Sequence, residues 1–322
     1  MIQRLEKSSI EQIIRKTGIL WTFLMLCIGM TIFSSRFINP QNLLLVIKQS
    51  AITGILGIGM TIVIISGGID LSVGAVIAFA SVCSAKYGGL AVQEIPIIIP
   101  LLVGLAGGLL FGLFNGIVIS YLKLPSFIMT LATMMISRGF ARIICGGKPV
   151  FGISRQFLDL ANGFFFGIPN LVVFFAIVFA IGTIILNKTV LGSRIFAVGG
   201  NETGARLSGV NTRRVKLFAY TFCGLLAGFC GVLMTSRISS GSSIVAEGYE
   251  LNAIAATVIG GTSMSGGVGT IWGTVIGALI IGVLQNGLDI MGVSVFYKEI
   301  IQGFIIIAAV LLDINSKNKK VS

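Results

Sequence analysis

Histidine is absent from the 322 residues, and with it go Ser-His triads, His metal sites and imidazole acid–base work. No G-x-S-x-G nucleophile elbow occurs. No G-x-x-x-x-G-K-[ST] occurs either, so the chain has no Gly-rich cradle for nucleotide phosphates, and energy for any active process comes from a partner or a gradient. Charge is scarce: 11% of residues are Asp, Glu, Lys or Arg, against roughly a quarter in a soluble domain. Few acidic residues sit within the apolar runs: Glu94 and Asp159 are in loops, and Asp70 and Asp289 are at run ends. That is a poor basis for the relay of ionisable groups a proton-coupled transporter keeps within the membrane. No Pro- or Ser-rich linker divides the chain, so a single polytopic domain over residues 1–322 is expected. The five cysteines (Cys27, Cys83, Cys145, Cys223 and Cys230) lie in or beside apolar stretches without C-x-x-C spacing, and read as small buried hydrophobes.

What is there in abundance is apolar surface and glycine. Hydrophobic residues make up 55% of the chain and glycines number 43; the mean hydropathy is +1.01. Apolar runs near 17–33, 43–66, 71–87, 95–120, 126–145, 164–186, 215–235, 251–262, 269–288 and 296–312 predict an all-α membrane protein of about ten transmembrane helices. The run 251–262 is short enough to be re-entrant. Residues 1–16 are charged and no A-x-A site follows the first run, so that run is expected to stay as the first span. With ten crossings and the N-terminus inside, inside segments hold 14 of the Lys and Arg residues and outside segments 7. This bias predicts that both termini are cytoplasmic, and it explains the net charge of +12 without nucleic acid.

Glycine is patterned. The stretch Ser66-Gly67-Gly68-Ile69-Asp70-Leu71-Ser72-Val73-Gly74 interrupts two apolar runs, and Ser265-Gly266-Gly267-Val268-Gly269 begins a second copy of the pattern. Over twelve positions the copies share Ser, Gly, Gly, Gly, Val and Ile, which suggests an internal repeat. Interrupted segments at membrane depth line protected or watery cavities, so Ser66, Gly67, Gly68, Asp70 and Ser72 are candidates for a translocation path or gate. Asp70 meets a solute hydroxyl in that reading; alternatively it caps a helix beginning at Leu71, the locally favoured role. Asn115, Asn252, Gln285 and Asn286 are further path candidates, or interhelical hydrogen-bond glue. Gly104, Gly108, Gly112 and Gly116 form one helix face, as do Gly269, Gly273 and Gly277, and both stripes predict close helix packing. Glu247 and Glu250, in a loop beside Arg237, either meet an external partner or lie on a solvated surface.

The loop near 187–216 has a capped segment. Asn201 is placed to cap a short helix, Glu202 to favour its first turn, and Gly209 to end it. Glu202 and Arg206 stand at i and i+4, the spacing of a bracing ion pair. A rigid surface element of this kind serves for docking; a basic loop resting on anionic lipid is the alternative.

Four stretches together resemble the membrane permeases of ABC importers for pentoses and other monosaccharides. They are Gly59-Met60-Thr61 through Gly74; Phe127-Ile128-Met129-Thr130-Leu131-Ala132 with Arg138-Gly139; Gly199-Gly200-Asn201-Glu202 with Ala205-Arg206-Leu207-Ser208-Gly209; and Gly248-Tyr249-Glu250-Leu251 with Ala253 to Ala256 and Gly260-Gly261-Thr262-Ser263. The resemblance implies a non-enzymatic permease subunit in a bacterial inner membrane, paired with a second permease copy (usually identical) and embedded in lipid. It further implies a cytoplasmic ABC ATPase that binds the ATP, with no cofactor in this chain, and an extracytoplasmic sugar-binding protein. By the same resemblance Asn201, Glu202, Ala205, Arg206 and Gly209 form the ATPase-coupling loop. Gly204 departs from the small residue, such as Ala, carried by many relatives, which weakens the short helix. A secondary transporter or facilitator of small polar solutes is the alternative function.

Overall fold

The computed structural model describes residues 2–89 and 95–321; Glu94 lies outside the described residues. Thirteen α-helices occur among them: α1 (Ile2–Phe33), α2 (Pro40–Ile65), α3 (Val73–Ser84), α4 (Ile98–Tyr121), α5 (Ser126–Cys145), α6 (Arg155–Asn162), α7 (Asn170–Lys188), α8 (Val190–Gly200), α9 (Glu202–Leu207), α10 (Thr212–Ile238), α11 (Tyr249–Ile259), α12 (Ile271–Ile290) and α13 (Val295–Val321). A two-stranded hairpin, β1 (Phe164–Phe165) with β2 (Ile168–Pro169), precedes α7. This is an all-α membrane protein.

Six helices (α2, α4, α5, α7, α10 and α12) are long and apolar enough to cross a membrane. The runs at 71–87 and 251–262 form shorter helices. The 12 residues of α3 and 11 of α11 reach only about 18 and 16 Å at 1.5 Å per residue, well short of about 30 Å of hydrocarbon. Each follows a long helix and a non-helical limb, residues 67–72 before α3 and 239–248 before α11. The loop at 187–216 contains a helix that composition did not announce, α8.

The core is built around α2, whose residues Ser50 to Ile65 are all buried against α7, α10, α11 and α12. The tightest contact joins α4 to α10. A Cβ on Gly108 would lie 2.2 Å from the Gly224 carbonyl oxygen, and one on Gly228 would lie 2.6 Å from that of Gly104. The predicted stripe therefore packs backbone to backbone. The second stripe does the same against α11: a Cβ on Gly277 would lie 2.0 Å from the Ala256 oxygen. Large apolar side chains such as Leu110 on α4, Met135 and Ile143 on α5, and Phe296 and Phe304 on α13 remain exposed on the outside of the bundle.

Candidate functional site

The capped segment forms as its residues dictate. The Asn201 side-chain oxygen accepts from Gly204 N at 2.8 Å, and this satisfies one of the orphan amides at the start of α9. At the other end Gly209 takes φ +83°, with Gly209 N donating to Arg206 O at 3.1 Å and Val210 N to Ala205 O at 3.0 Å. That pair of bonds is the Schellman motif, and it stops the helix after six residues. Ala205 is buried while Arg206 and Gly209 face outward. One expectation is corrected here: Glu202 does not brace Arg206. Its carboxylate takes Lys216 Nζ at 2.6 Å instead, which ties α9 to the first turns of α10 and leaves Arg206 without an ion pair among the described residues.

The two copies of the Gly-rich pattern meet in space, and they meet at the end of α8. Gly267 N donates to Ile65 O at 2.9 Å, joining the turn after α11 to the end of α2. Gly67 and Gly266 both hold left-handed φ, +86° and +82°, and a Cβ on Gly266 would come within 3.1 Å of Gly67 Cα. Between the turns sits the end of α8, immediately before the Asn201 cap. A Cβ on Gly199 would lie 1.6 Å from Ile65 O and 2.6 Å from Gly267 N. Only glycine at all three places lets these backbones close.

Asp70 occupies the non-helical limb after the first turn and is buried. It is not the N-cap of a helix starting at Leu71, because α3 starts two residues later, at Val73. One Asp70 oxygen accepts from Ser72 N at 2.9 Å and from the Ser72 hydroxyl at 2.6 Å, a side-chain turn that holds the limb in place. Asn115 on α4 donates to the Ser72 hydroxyl at 2.9 Å and accepts from Thr133 of α5 at 2.6 Å. Asp70, Ser72 and Asn115 thus belong to one buried chain of bonds, with Thr133 as a member the sequence did not reveal. A second anchor is Tyr220 on α10, whose hydroxyl donates to Ile69 O at 3.4 Å above Gly68.

The remaining amide candidates lie apart. Asn286 exchanges two hydrogen bonds with Asn42, both 2.9 Å, between α12 and the start of α2. Asn252 accepts from Gln285 at 3.2 Å and from Gln302 at 2.7 Å, joining α11, α12 and α13. These are interhelical clamps, and Asn42 and Gln302 were not among the expected residues. Glu250 is drawn inward in the first turn of α11 while Glu247 stays exposed. One Glu250 oxygen is buried against Gly74 at the start of α3, so the half-helices meet at their N-terminal ends. Beside them Arg138 donates to Ser243 O at 2.9 Å.

A cavity of about 630 Å³ opens between the Gly67–Gly68 turn, the α4–α5 loop, α9 and the start of α10. Its lining includes Lys123, Glu202, Arg206, Arg213, Lys216 and Tyr220. Arg213 stacks its guanidinium on the Tyr121 ring, 5.7 Å from the ring centre.

Comparison with known proteins fits this architecture. The family described as branched-chain amino acid transport system / permease component matches residues 42–310. The ribose import permease of Bacillus subtilis is 42% identical over 305 residues, 94% of each chain. The chain belongs to the ABC-importer permease family of monosaccharide systems. The ribose import permease of Escherichia coli K12 is 39% identical over 291 residues, covering 89% of this chain and 88% of the relative. An L-arabinose ABC transporter permease of Azospirillum brasilense is 34% identical over 318 residues, covering 98% and 92%. No solved structure matches. The permease is a multi-pass inner-membrane transport component, not an enzyme, and permeases of this family work with an ATPase and a substrate-binding protein.

Proposed function

We propose that this permease carries a monosaccharide of the pentose or hexose class inward, driven by ATP that a separate cytoplasmic subunit binds and hydrolyses. The chain itself needs no cofactor. Residues Asn201 to Gly209 are the element seated on that ATPase. The observation that carries the reading is the closure of both Gly-rich turns on Gly199–Gly200, directly before the α9 cap. A push on α9 displaces the end of α2 and the turn after α11 together. Through the Asp70–Ser72–Asn115 chain it then reaches α3, α4 and α5. Ser66, Gly67 and Gly68 belong to the gate in this scheme, while Asn252, Gln285 and Asn286 hold the surrounding helices.

The ten-crossing topology is part of the proposal. Six long helices cross, α1 and α13 add two, and the limb–half-helix pairs 67–72 with α3 and 239–248 with α11 supply one each. An even count puts both termini on the same side, and the Lys and Arg bias makes that side cytoplasmic. The repeat unit in this reading is a long helix, a non-helical limb and a half-helix, and the opposed half-helices favour an inverted relation between units. The whole chain acts as one domain, and the exposed apolar faces meet lipid or a second permease copy, which we take to be identical.

The test is Arg206→Glu. Arg206 makes no ion pair among the described residues, so its reversal leaves the permease folded and inserted. Reconstituted with its ATPase and binding protein, the variant loses ATP-driven ribose uptake and sugar-stimulated ATP hydrolysis together, by tenfold or more. Normal uptake in this variant, or accumulation by the unaltered permease without an ATPase, overturns the proposal.

A further inference from the structure

We infer that the cavity behind α9 is a binding site for a phosphorylated sugar, and that its occupancy slows import. The inference rests on the sugar-importer reading. It goes beyond it because a neutral sugar passing through the permease has no use for concentrated positive charge.

Four cations from three separate elements face one cavity: Lys123 from the α4–α5 loop, Arg206 from α9, and Arg213 and Lys216 from the start of α10. Glu202 is the single carboxylate in the lining, and it is bound to Lys216, so four positive charges against one negative leave a net of +3. Like charges held together repel, and an anionic ligand relieves that repulsion. Lys123 and Arg206 make no ion pair among the described residues. Arg213 is already oriented by the Tyr121 ring, and a planar guanidinium fixed on one face suits bidentate contact with phosphate oxygens along its edge. Lys123 is also one of the few non-glycine residues at left-handed φ, +57°. Strain of that kind is retained where the surroundings hold a side chain for use.

The size of the site selects the ligand. About 630 Å³ lies within the range of small-molecule pockets, roughly 300–1,000 Å³, whereas one carboxylate side chain from a docked partner fills little of it. Half-buried Ser126 lines the same space and offers a hydroxyl suited to those of a sugar. The chemistry that supplies such a ligand is phosphoryl transfer from ATP to the imported sugar: a sugar hydroxyl oxygen bonds the γ-phosphorus, ADP leaves, and the hydroxyl proton is released. A phosphomonoester bridging the α4–α5 loop, α9 and α10 braces the coupling element against the Gly67–Gly68 turn. Import then slows as its product accumulates.

The experiment uses the permease with its ATPase in nanodiscs of phosphatidylcholine, which carries no net charge, and titrates ribose 5-phosphate, inorganic phosphate and ribose by calorimetry. ATP-driven ribose uptake is then measured in vesicles with the binding protein on the outer face and ribose 5-phosphate on the ATPase side. The variant is Lys123→Asn, which removes the cation and tolerates left-handed φ better than most residues. Ribose 5-phosphate should bind better than inorganic phosphate, ribose should not compete, and uptake should fall as the site fills. Lys123→Asn should keep normal uptake while its affinity for ribose 5-phosphate drops about tenfold, as expected for one lost charge-assisted hydrogen bond. Absence of binding overturns the inference and points to an acidic segment of the ATPase as the occupant. Equal response of Lys123→Asn and the unaltered permease, or equal binding of inorganic phosphate, overturns it as well. Failure of the sugar-import reading is seen separately, as no ribose uptake at any phosphate level, and the calorimetry still decides the site.

Discussion

Along α4 and α10, glycine removes volume from two regular helices; in the turns after α2 and α11, it removes volume and also supplies a left-handed backbone. Both contacts bring main chain against main chain. At the first, Gly104, Gly108, Gly224 and Gly228 are helical, and what their missing side chains permit is close approach over several turns. At the second, Gly67, Gly266 and Gly267 hold φ of +86°, +82° and +71°, and their closure rests on a few short contacts around Gly199. The difference teaches that one residue type does two jobs here. The long interface runs over several helical turns, whereas the short one ties the turns after α2 and α11 to the end of α8.

Gly108→Leu should break the first region with the largest effect. Its side chain meets the Gly224 oxygen and the Gly228 backbone with nothing flexible to yield, at a cost of about 3 kcal/mol or more. The amount of monodisperse permease recovered from membranes should fall several-fold; undiminished folded protein with normal uptake would mean that α4 and α10 do not pack there.

Gly199→Ala should separate the two regions. The added methyl displaces Ile65 O or Gly267 N locally while the α4–α10 interface is untouched, so a loss of about 1–3 kcal/mol is expected. Folded permease should still be recovered, but ATP-driven uptake should fall at least tenfold, with ATP hydrolysis no longer responding to sugar. A parallel fall in folded protein and uptake would make the turn contact merely structural.

The smallest effect belongs to Gly209→Ala. No atom lies within 4 Å of the added Cβ, so only the left-handed backbone is penalised, by about 1–2 kcal/mol. Thermal stability should drop by a few degrees and uptake should remain close to normal. A loss of uptake as severe as that of Gly199→Ala would show that the exit turn of α9 itself, not the turn contact behind it, carries the coupling.

Much of the architecture was legible because its signals are local or periodic. The glycine stripes at four-residue spacing, the Asn201 cap and the Gly209 exit each depend on residues within a turn or two. The helix start at Val73 was misplaced for a related reason: Asp70 satisfies a local turn two residues ahead, and that competes with capping at the same position. The partner of Glu202 was misjudged because i+4 spacing offers Arg206, while Lys216, 14 residues on, is brought closer by the turn between α9 and α10.

Composition and spacing by themselves determined that this is an apolar, helical, glycine-packed membrane chain with no histidine and no G-x-x-x-x-G-K-[ST] motif, since each of those properties is a sum over residues or a short local pattern. Only the tertiary structure decided that two similar glycine turns meet each other around Gly199, that Asn42 pairs with Asn286 across 244 positions, and that four cations from three separate elements share one cavity. These depend on how long helices cross, and crossing is settled by the fit of whole surfaces, which no short stretch of sequence contains.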